Sequence, residues 1–198
     1  VAKHLRGEKG TKVTLGIKRG KSDELIDYEV IRDKIPLNSI EAAFMLDKNV
    51  GYIKLDRFAQ TSNTEFEESL AKLKAQKMKS LILDLRGNTG GYLNIAAELS
   101  NQFLKKDMTI VYTEGDKSPK QIFNTDKNGK FTDGKLIILI DEGSASASEI
   151  VSGAVQDWDR GILIGRRSFG KGLVQRPFNL PDGSQVRLTT ARYYTPTG

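Results

Sequence analysis

The sequence has no cysteine and a single histidine in 198 residues. Without cysteine the protein can form no disulfide, thiol nucleophile or cysteine-ligated zinc site, although this leaves its redox compartment open. The one histidine, His4, lies close to the start of the chain. A Ser–His–Asp triad needs an imidazole held firmly beside the serine, so His4 is a poor candidate for that role. A hydrolytic serine in this chain would need another base.

Long apolar runs are also missing, since no stretch approaches the roughly 18–20 residues that cross a bilayer as a helix. The formal net charge is +6, and the lysines are spread along the chain, as at Lys72, Lys74, Lys77 and Lys79. This spread is typical of a solvated surface. The lysines are not interleaved with aromatic residues and match no nucleic-acid-binding module, so the sequence predicts no nucleic-acid partner.

Strands and helices alternate in the middle of the chain. Apolar runs at 80–85 and 136–140 have the length of buried strands, and each precedes a turn and a predicted helix, at 92–104 and 145–156. Continuous apolar strands that alternate with helices indicate a sheet covered on its faces. The sequence therefore predicts an α/β fold.

The flanking regions contain further predicted elements. Ser62 and Glu65 have the spacing of a capping box, which predicts the start of a helix that buries Phe66, Leu70 and Leu73. The remaining predictions are strands at 13–17, 25–31, 51–55, 173–180 and 185–193, and a surface hairpin within the polar stretch 114–135.

Residues 143–150 are the first of three segments that could carry chemistry. They place Ser144, Ser146 and Ser148 where a buried strand gives way to a helix. Free amides at a helix N-terminus can stabilise an oxyanion, so any of these serines could be a nucleophile. Ser146 and Glu149 also have the spacing of a capping box, which gives the segment a purely structural alternative.

Residues 165–172, the second segment, follow most of the pattern of a phosphate-binding loop and include Lys171. The match fails because residue 172 is glycine rather than Ser or Thr, and because strands rather than a helix are predicted to follow. Lys171 has the apolar neighbours Phe169 and Leu173, and no Asp or Glu occurs between residues 161 and 180. Such a setting would favour the neutral amine that a lysine base requires.

Residues 84–91, the third segment, read Asp-Leu-Arg-Gly-Asn-Thr-Gly-Gly and lie between a predicted strand and a predicted helix. Paired glycines in such a turn allow the main chain to approach a ligand closely. A tight turn without any ligand would use the same residues, so this segment alone decides nothing.

Together these segments resemble the S41 peptidase family, the carboxyl-terminal processing or tail-specific proteases. The resemblance rests on residues 83–91, 143–150, 156–157 and 168–175, which occur in the family's order. The family's catalytic lysine follows its serine at the separation of Lys171 from Ser146. The resemblance therefore selects Ser146 as nucleophile over Ser144 and Ser148, with Lys171 as its base.

The resemblance implies roles for further residues. Gln175 would help to orient the lysine, and Asp157 would support the site. The oxyanion would be bound by the amide of Ala147 and by that of either Gly90 or Gly91. Thr89 stands where proline is frequent in the family, a departure that we expect to be tolerated.

The resemblance also implies a ClpP/crotonase-like α/β core with an added part rich in β-hairpins. Residues 1–19 would be the end of a PDZ domain, and residues 20–198 a catalytic core truncated at its C-terminal end. The expected activity is cleavage of polypeptides that have a free C-terminus, and the expected location is outside the cytoplasm. The resemblance implies no cofactor, metal or nucleotide, and it is compatible with a homo-oligomer. The alternative is a peptide-binding module of the same fold without catalysis.

Overall fold

The computed structural model describes residues 2–20, 24–33 and 37–198, in two compact units, Val1–Leu37 and Asn38–Gly198. The first unit contains a short helix, α1 (Ala2–Leu5), and two antiparallel strands, β1 (Lys12–Lys18) and β2 (Leu25–Ile31). The sequence placed a boundary near residue 19, between these paired strands, whereas the compact units meet after Leu37. Residues 21–23 and 34–36 of the expected catalytic core lie outside the described residues.

The second unit is built on two sheets. One has the order β3–β4–β5–β8–β9, in which β3 is antiparallel to β4 and the other pairs are parallel. The other sheet is antiparallel, in the order β10–β11–β6–β7. The elements are β3 (Ile40–Met45), β4 (Val50–Leu55), α2 (Ser62–Ala75), β5 (Ser80–Asp84), α3 (Leu93–Asn101), β6 (Thr109–Gly115), β7 (Ser118–Asn124), β8 (Lys135–Ile140), α4 (Ala147–Asp157), β9 (Ile162–Gly165), β10 (Leu173–Asn179) and β11 (Gln185–Tyr194).

The α/β prediction is confirmed, and α2 buries Phe66, Leu70 and Leu73 as expected. The predicted capping box at its start is wrong, because the N-cap is the preceding threonine and makes no side-chain capping bond. The two residues of the pattern instead bind the main chain and side chain at the start of β3. The Ser62 hydroxyl donates to the Ser39 hydroxyl at 2.7 Å, and the Glu65 carboxylate accepts the Ser39 and Ile40 amides.

The polar stretch expected to form a hairpin at 114–135 is arranged differently. The hairpin is β6–β7, which begins at Thr109, and residues 125–134 form a loop before β8. The strand begins earlier because Ile110 and Val111 are buried in the core. Strand β3 was not predicted. No helix within the described residues has both the length and the apolar character of a membrane span.

Strands β5 and β8 place two of the chemistry-bearing segments side by side. They are parallel neighbours, with Asp84 opposite Leu139. Because the carboxyl ends of parallel strands meet at one edge of a sheet, the segments that follow them are adjacent. We call residues 85–91, after β5, the glycine loop, and residues 141–146, after β8, the serine turn.

Candidate active site

Ser146 ends the serine turn and is the N-cap of α4. Its backbone has φ 57° and ψ −113°, in a region that residues other than glycine seldom occupy. Such strain persists only where the surrounding structure enforces it, and it is characteristic of a nucleophile held on a sharp strand-to-helix turn. The side chain of Ser146 is half-buried and lines a cavity.

The other two candidate serines have structural contacts. The buried Ser144 hydroxyl donates to the carbonyl oxygen of Leu85 at 2.8 Å. The buried Ser148 hydroxyl donates to the carbonyl oxygen of Asn88, also at 2.8 Å. Both bonds fasten the serine turn and α4 to the glycine loop, so these hydroxyls already have partners.

Asn88 is the centre of the glycine loop and is fully buried. Its side-chain amide donates to the carbonyl oxygen of Leu55, while its Oδ1 accepts the amide of Gly90. Its own carbonyl oxygen accepts the amide of Ala145 at 3.0 Å and the Ser148 hydroxyl. One asparagine thus joins the sheet, the glycine loop and the start of α4.

The two glycines of this loop have different roles. Gly90 has φ +101°, and a Cβ at this position would lie 2.8 Å from Ser146 Cβ and 2.9 Å from the Ala147 nitrogen, so only glycine fits. Its N–H is bound to Asn88 Oδ1. The bridge between Gly91 and Phe58 is made by the Gly90 carbonyl oxygen and the Tyr92 N–H. The Gly91 N–H itself therefore has no hydrogen-bond partner in the described part of the chain. The Ala147 N–H at the start of α4 is equally unpartnered among the described residues.

A cavity of about 380 Å³ brings together residues from separate parts of the sequence. Ser146, Lys171, Gln175 and Gly91 line it, and its apolar wall is formed by Tyr92, Leu93, Ile150, Leu173, Val174 and Pro177. Lys171 lies in residues 166–172, which we call the lysine loop. Within the described residues no hydrogen bond joins Lys171 Nζ to Ser146 Oγ, so the two side chains share the cavity without direct pairing.

Glu149 forms the capping box with Ser146 that their spacing predicts, and it also links the serine turn to the lysine loop. Its Oε2 accepts the main-chain amide of Ser146 at 2.8 Å and that of Lys171 at 2.9 Å. Its Oε1 accepts the Ser168 hydroxyl at 2.8 Å and the Gly170 amide at 2.6 Å. One carboxylate therefore fixes the main chains of Ser146 and Lys171 in a common frame.

The surroundings of Lys171 differ from the expectation in two respects. Phe169 and Leu173, expected to bury the lysine, are 67% and 40% exposed. A carboxylate is also close, since Glu149 binds the Lys171 main chain. The local sequence could not reveal it because Glu149 lies on α4, outside the acid-free stretch. As predicted, a strand rather than a helix follows the loop.

Gln175 and Asp157 lie in different places. Gln175 lines the cavity from β10, next to a bulge between Val174 and Gln175. Asp157 ends α4, about 16 Å along the helix from Ser146 at roughly 1.5 Å per residue. Burial raises the pKa of Asp157, but hydrogen bonds from Thr195 and Thr197 outweigh it and hold the pKa below its ordinary value. Its contacts are thus with the end of the chain.

No group of three or more His, Cys, Asp or Glu side chains suited to a metal ion occurs among the described residues. The polar groups that line the cavity include the Ser146 hydroxyl, the Lys171 amine, the Gln175 amide and the free main-chain N–H of Gly91, and the free N–H of Ala147 follows Ser146 directly. This set can attack a carbonyl, accept a proton and bind a developing oxyanion.

Comparison with known proteins places the chain in a family. A sequence profile of peptidase family S41 matches residues 49–198. The chain is 39% identical over 198 residues to a carboxyl-terminal-processing protease of Picosynechococcus, and 37% identical over 194 residues to the carboxy-terminal processing protease CtpA of Bacillus subtilis. These matches cover 98% of this chain but only 47% and 41% of the relatives, so the chain spans about half their length.

The fold of a solved protease agrees with this match. The photosystem II D1 C-terminal processing protease superposes with a TM-score of 0.73 and 28% identity, over 97% of this chain and 53% of that one. An S41 protease from Bacteroides fragilis has the same fold, with a TM-score of 0.71 at 16% identity. The chain belongs to peptidase family S41.

Proposed function

We propose that this chain is the catalytic part of a serine endopeptidase in which Ser146 is the nucleophile and Lys171 the general base. The observation that carries the proposal is the single cavity that contains the strained Ser146, Lys171 and the free amide of Gly91. The hydroxyls of Ser144 and Ser148 are already bound, which supports Ser146 among the three serines.

Attack on a peptide carbonyl would proceed in two stages. Ser146 Oγ forms a bond to the carbonyl carbon as its proton passes to the Lys171 amine. Lys171 then gives this proton to the leaving nitrogen as the C–N bond breaks, which leaves an acyl-enzyme. A water molecule, deprotonated by Lys171, releases the acyl group and restores Ser146. Gln175 lies in the same cavity, where its amide would orient the lysine amine.

The oxyanion that forms during attack would be bound by the amides of Ala147 and Gly91. Gly91 is preferred over Gly90 because the Gly90 N–H is bound to Asn88 while that of Gly91 faces no described partner. Two such donors typically contribute about 3 kcal/mol each to stabilisation of the transition state. Asp157 would act on the site through α4 rather than by contact with substrate.

The names of the relatives indicate the substrate class. They are carboxyl-terminal processing proteases, so we infer that the substrates are polypeptides cut near their C-terminus. In the full-length protein, residues 1–19 would end a PDZ domain that binds the free C-terminus. From the same similarity we infer that the full-length protein is located outside the cytoplasm.

The test is to replace each member of the dyad in the full-length protein. Ser146→Ala and Lys171→Ala should each lower kcat/KM for a peptide substrate by at least about 1000-fold, because either change removes proton transfer to or from the nucleophile. Ser184→Ala and Lys105→Ala, at exposed positions outside the cavity, are the matched controls and should retain activity.

Labelling with a serine-reactive acylating probe separates catalysis from mere binding. The wild type should be acylated at Ser146, and mass spectrometry of its peptides would locate the label. Strong cleavage by Ser146→Ala would contradict the assignment. A wild type that binds C-terminal peptides without acylation or cleavage would instead be the non-catalytic binding module.

A further inference from the structure

Tyr193 is, with Arg187, one of the polar residues of the cavity wall that the proposed mechanism leaves unused. It lies on β11 and lines the cavity with Ser146 and Lys171. Its hydroxyl oxygen is buried and, among the described residues, has no hydrogen-bond partner. A buried hydroxyl without a partner costs stability, so its presence in the wall of this cavity needs an explanation.

The main chain of Tyr193 is held on both sides. Its N–H donates to the carbonyl oxygen of Gly172, the residue after Lys171, at 3.1 Å. Within the sheet, Tyr193 pairs with Thr113 on the neighbouring strand β6. Its side chain packs against the core. The position of the phenol is therefore set by the sheet and by the same loop that carries Lys171, which leaves it little freedom to reach another partner.

Ser146 is the polar side chain adjacent to this phenol. Burial raises the pKa of Tyr193 above its ordinary value, the nearby Ser146 hydroxyl offsets that rise only in part, and the charge of Glu149 adds to it. The phenol therefore keeps its proton at neutral pH. In that state it can donate a hydrogen bond, but it cannot replace Lys171 as the base.

We propose that Tyr193 is a positioning residue whose phenol donates a hydrogen bond to Ser146 Oγ when this oxygen takes its reacting position. The inference rests on the proposed function. The Ser146 proton passes to Lys171, while the phenol keeps its own proton and points it at a lone pair of Oγ. The bond would hold Oγ between the amine and the substrate carbonyl, and it would give the buried phenol its missing partner.

The test compares Tyr193→Phe with Tyr194→Phe in the full-length protein. Tyr194 is the next residue on β11, stacks on Tyr112 at 4.9 Å and does not line the cavity, so its hydroxyl is a matched control. Tyr193→Phe should lower kcat and the rate of acylation by a serine-reactive probe about tenfold, the usual worth of one such hydrogen bond, with KM nearly unchanged. Its free energy of unfolding should be unchanged or higher, because an unpartnered buried hydroxyl is removed.

The possible outcomes distinguish a failure of the role of Tyr193 from a failure of the proposed peptidase function. If the wild type is acylated at Ser146 and Tyr193→Phe is acylated at the same rate, only the role of Tyr193 is overturned. If activity and stability fall together in Tyr193→Phe, the phenol is structural and the inference is wrong. If the wild type is neither acylated nor active, the proposed function fails, and this inference fails with it.

Discussion

The serine turn and the lysine loop line one cavity, but they are held by different means. The serine turn and the start of α4 are fastened to the glycine loop by buried hydrogen bonds, from the Ser144 hydroxyl to the Leu85 carbonyl and from the Ala145 amide and the Ser148 hydroxyl to the Asn88 carbonyl. The lysine loop is largely exposed, with Phe169 67% accessible. Three of its hydrogen bonds go to the carboxylate of Glu149 on α4. It is joined to the serine turn by the Phe169 amide, which donates to the Ser144 carbonyl oxygen, and by the exposed pair of Arg166 with Glu142.

This difference separates the geometry of the proposed nucleophile, Ser146, from that of the proposed base, Lys171. Buried bonds around Ser146 form as the core folds, so its strained backbone is as stable as the fold itself. The lysine loop depends on a few exposed or part-buried bonds, so we expect that it can lose its position while the core stays folded. Alignment of the dyad should therefore be more sensitive to changes at Glu149 than the stability of the protein is.

The largest expected effect on stability comes from a change at Gly90, which packs against the serine turn. A Cβ in Gly90→Ala would lie 2.7 Å from the Ala145 carbonyl oxygen and 2.8 Å from Ser146 Cβ, at φ +101°. Main-chain atoms cannot move aside cheaply, so we expect a loss on the order of 4 kcal/mol in the free energy of unfolding, from overpacking and backbone strain together. Denaturant titration of the full-length protein would measure it.

Catalysis should be lost in Gly90→Ala as well, because the added methyl pushes directly on Ser146 and on the Ala147 amide. The rate of acylation by a serine-reactive probe would measure this loss without depending on the binding of a peptide substrate. A Gly90→Ala protein with wild-type stability would mean that the serine turn is not rigidly packed, and it would remove the contrast between the two segments.

The serine side could be predicted from sequence further than the lysine side. The apolar runs of β5 and β8 and the helices after them are local patterns, and the small residues that follow each strand mark the turns. These signals placed Ser146 and the two glycines in turns beside helices. The choice between Gly90 and Gly91 could not be made, because it depends on which amide Asn88 already occupies.

The lysine side was harder because its contacts come from distant parts of the chain. The acid-free neighbourhood of Lys171 indicated an apolar setting, yet Glu149 enters it from α4. Hydrophobic neighbours in sequence also gave no measure of burial, since Phe169 is 67% and Leu173 40% exposed. Pairing of Tyr193 with Gly172 likewise brings together residues that no short motif connects.

Glu149→Gln should have the next largest effect, and on activity more than on stability. The carboxylate accepts four hydrogen bonds with two oxygens, whereas glutamine has one acceptor oxygen and an NH2 that would face two N–H or O–H donors. Loss of charge-assisted bonds worth about 2–3 kcal/mol should lower kcat on the order of 100-fold, as the lysine loop loses its alignment. Steady-state kinetics on a peptide substrate would show it.

Glu142→Gln is the matched control for this change. Glu142 also binds the lysine loop, through Arg166, but both side chains are about 70% exposed. An exposed ion pair contributes about 0–1 kcal/mol, so this variant should remain within a few-fold of wild-type activity. Equal losses in both variants would show that net charge, rather than the four bonds of Glu149, positions the loop.

The smallest effect is expected at Gly170, the counterpart of Gly90 on the lysine side. Gly170 also has a positive φ, +89°, but a Cβ there would meet no atom within 4 Å. Gly170→Ala would thus add backbone strain of about 1–2 kcal/mol without a clash, and it keeps the amide that binds Glu149. Because the loop can relax into solvent, activity should fall only a few-fold. Unfolding free energies of the two alanine variants, measured side by side, test the contrast directly: if Gly170→Ala is as damaging as Gly90→Ala, the lysine loop is packed as tightly as the serine turn.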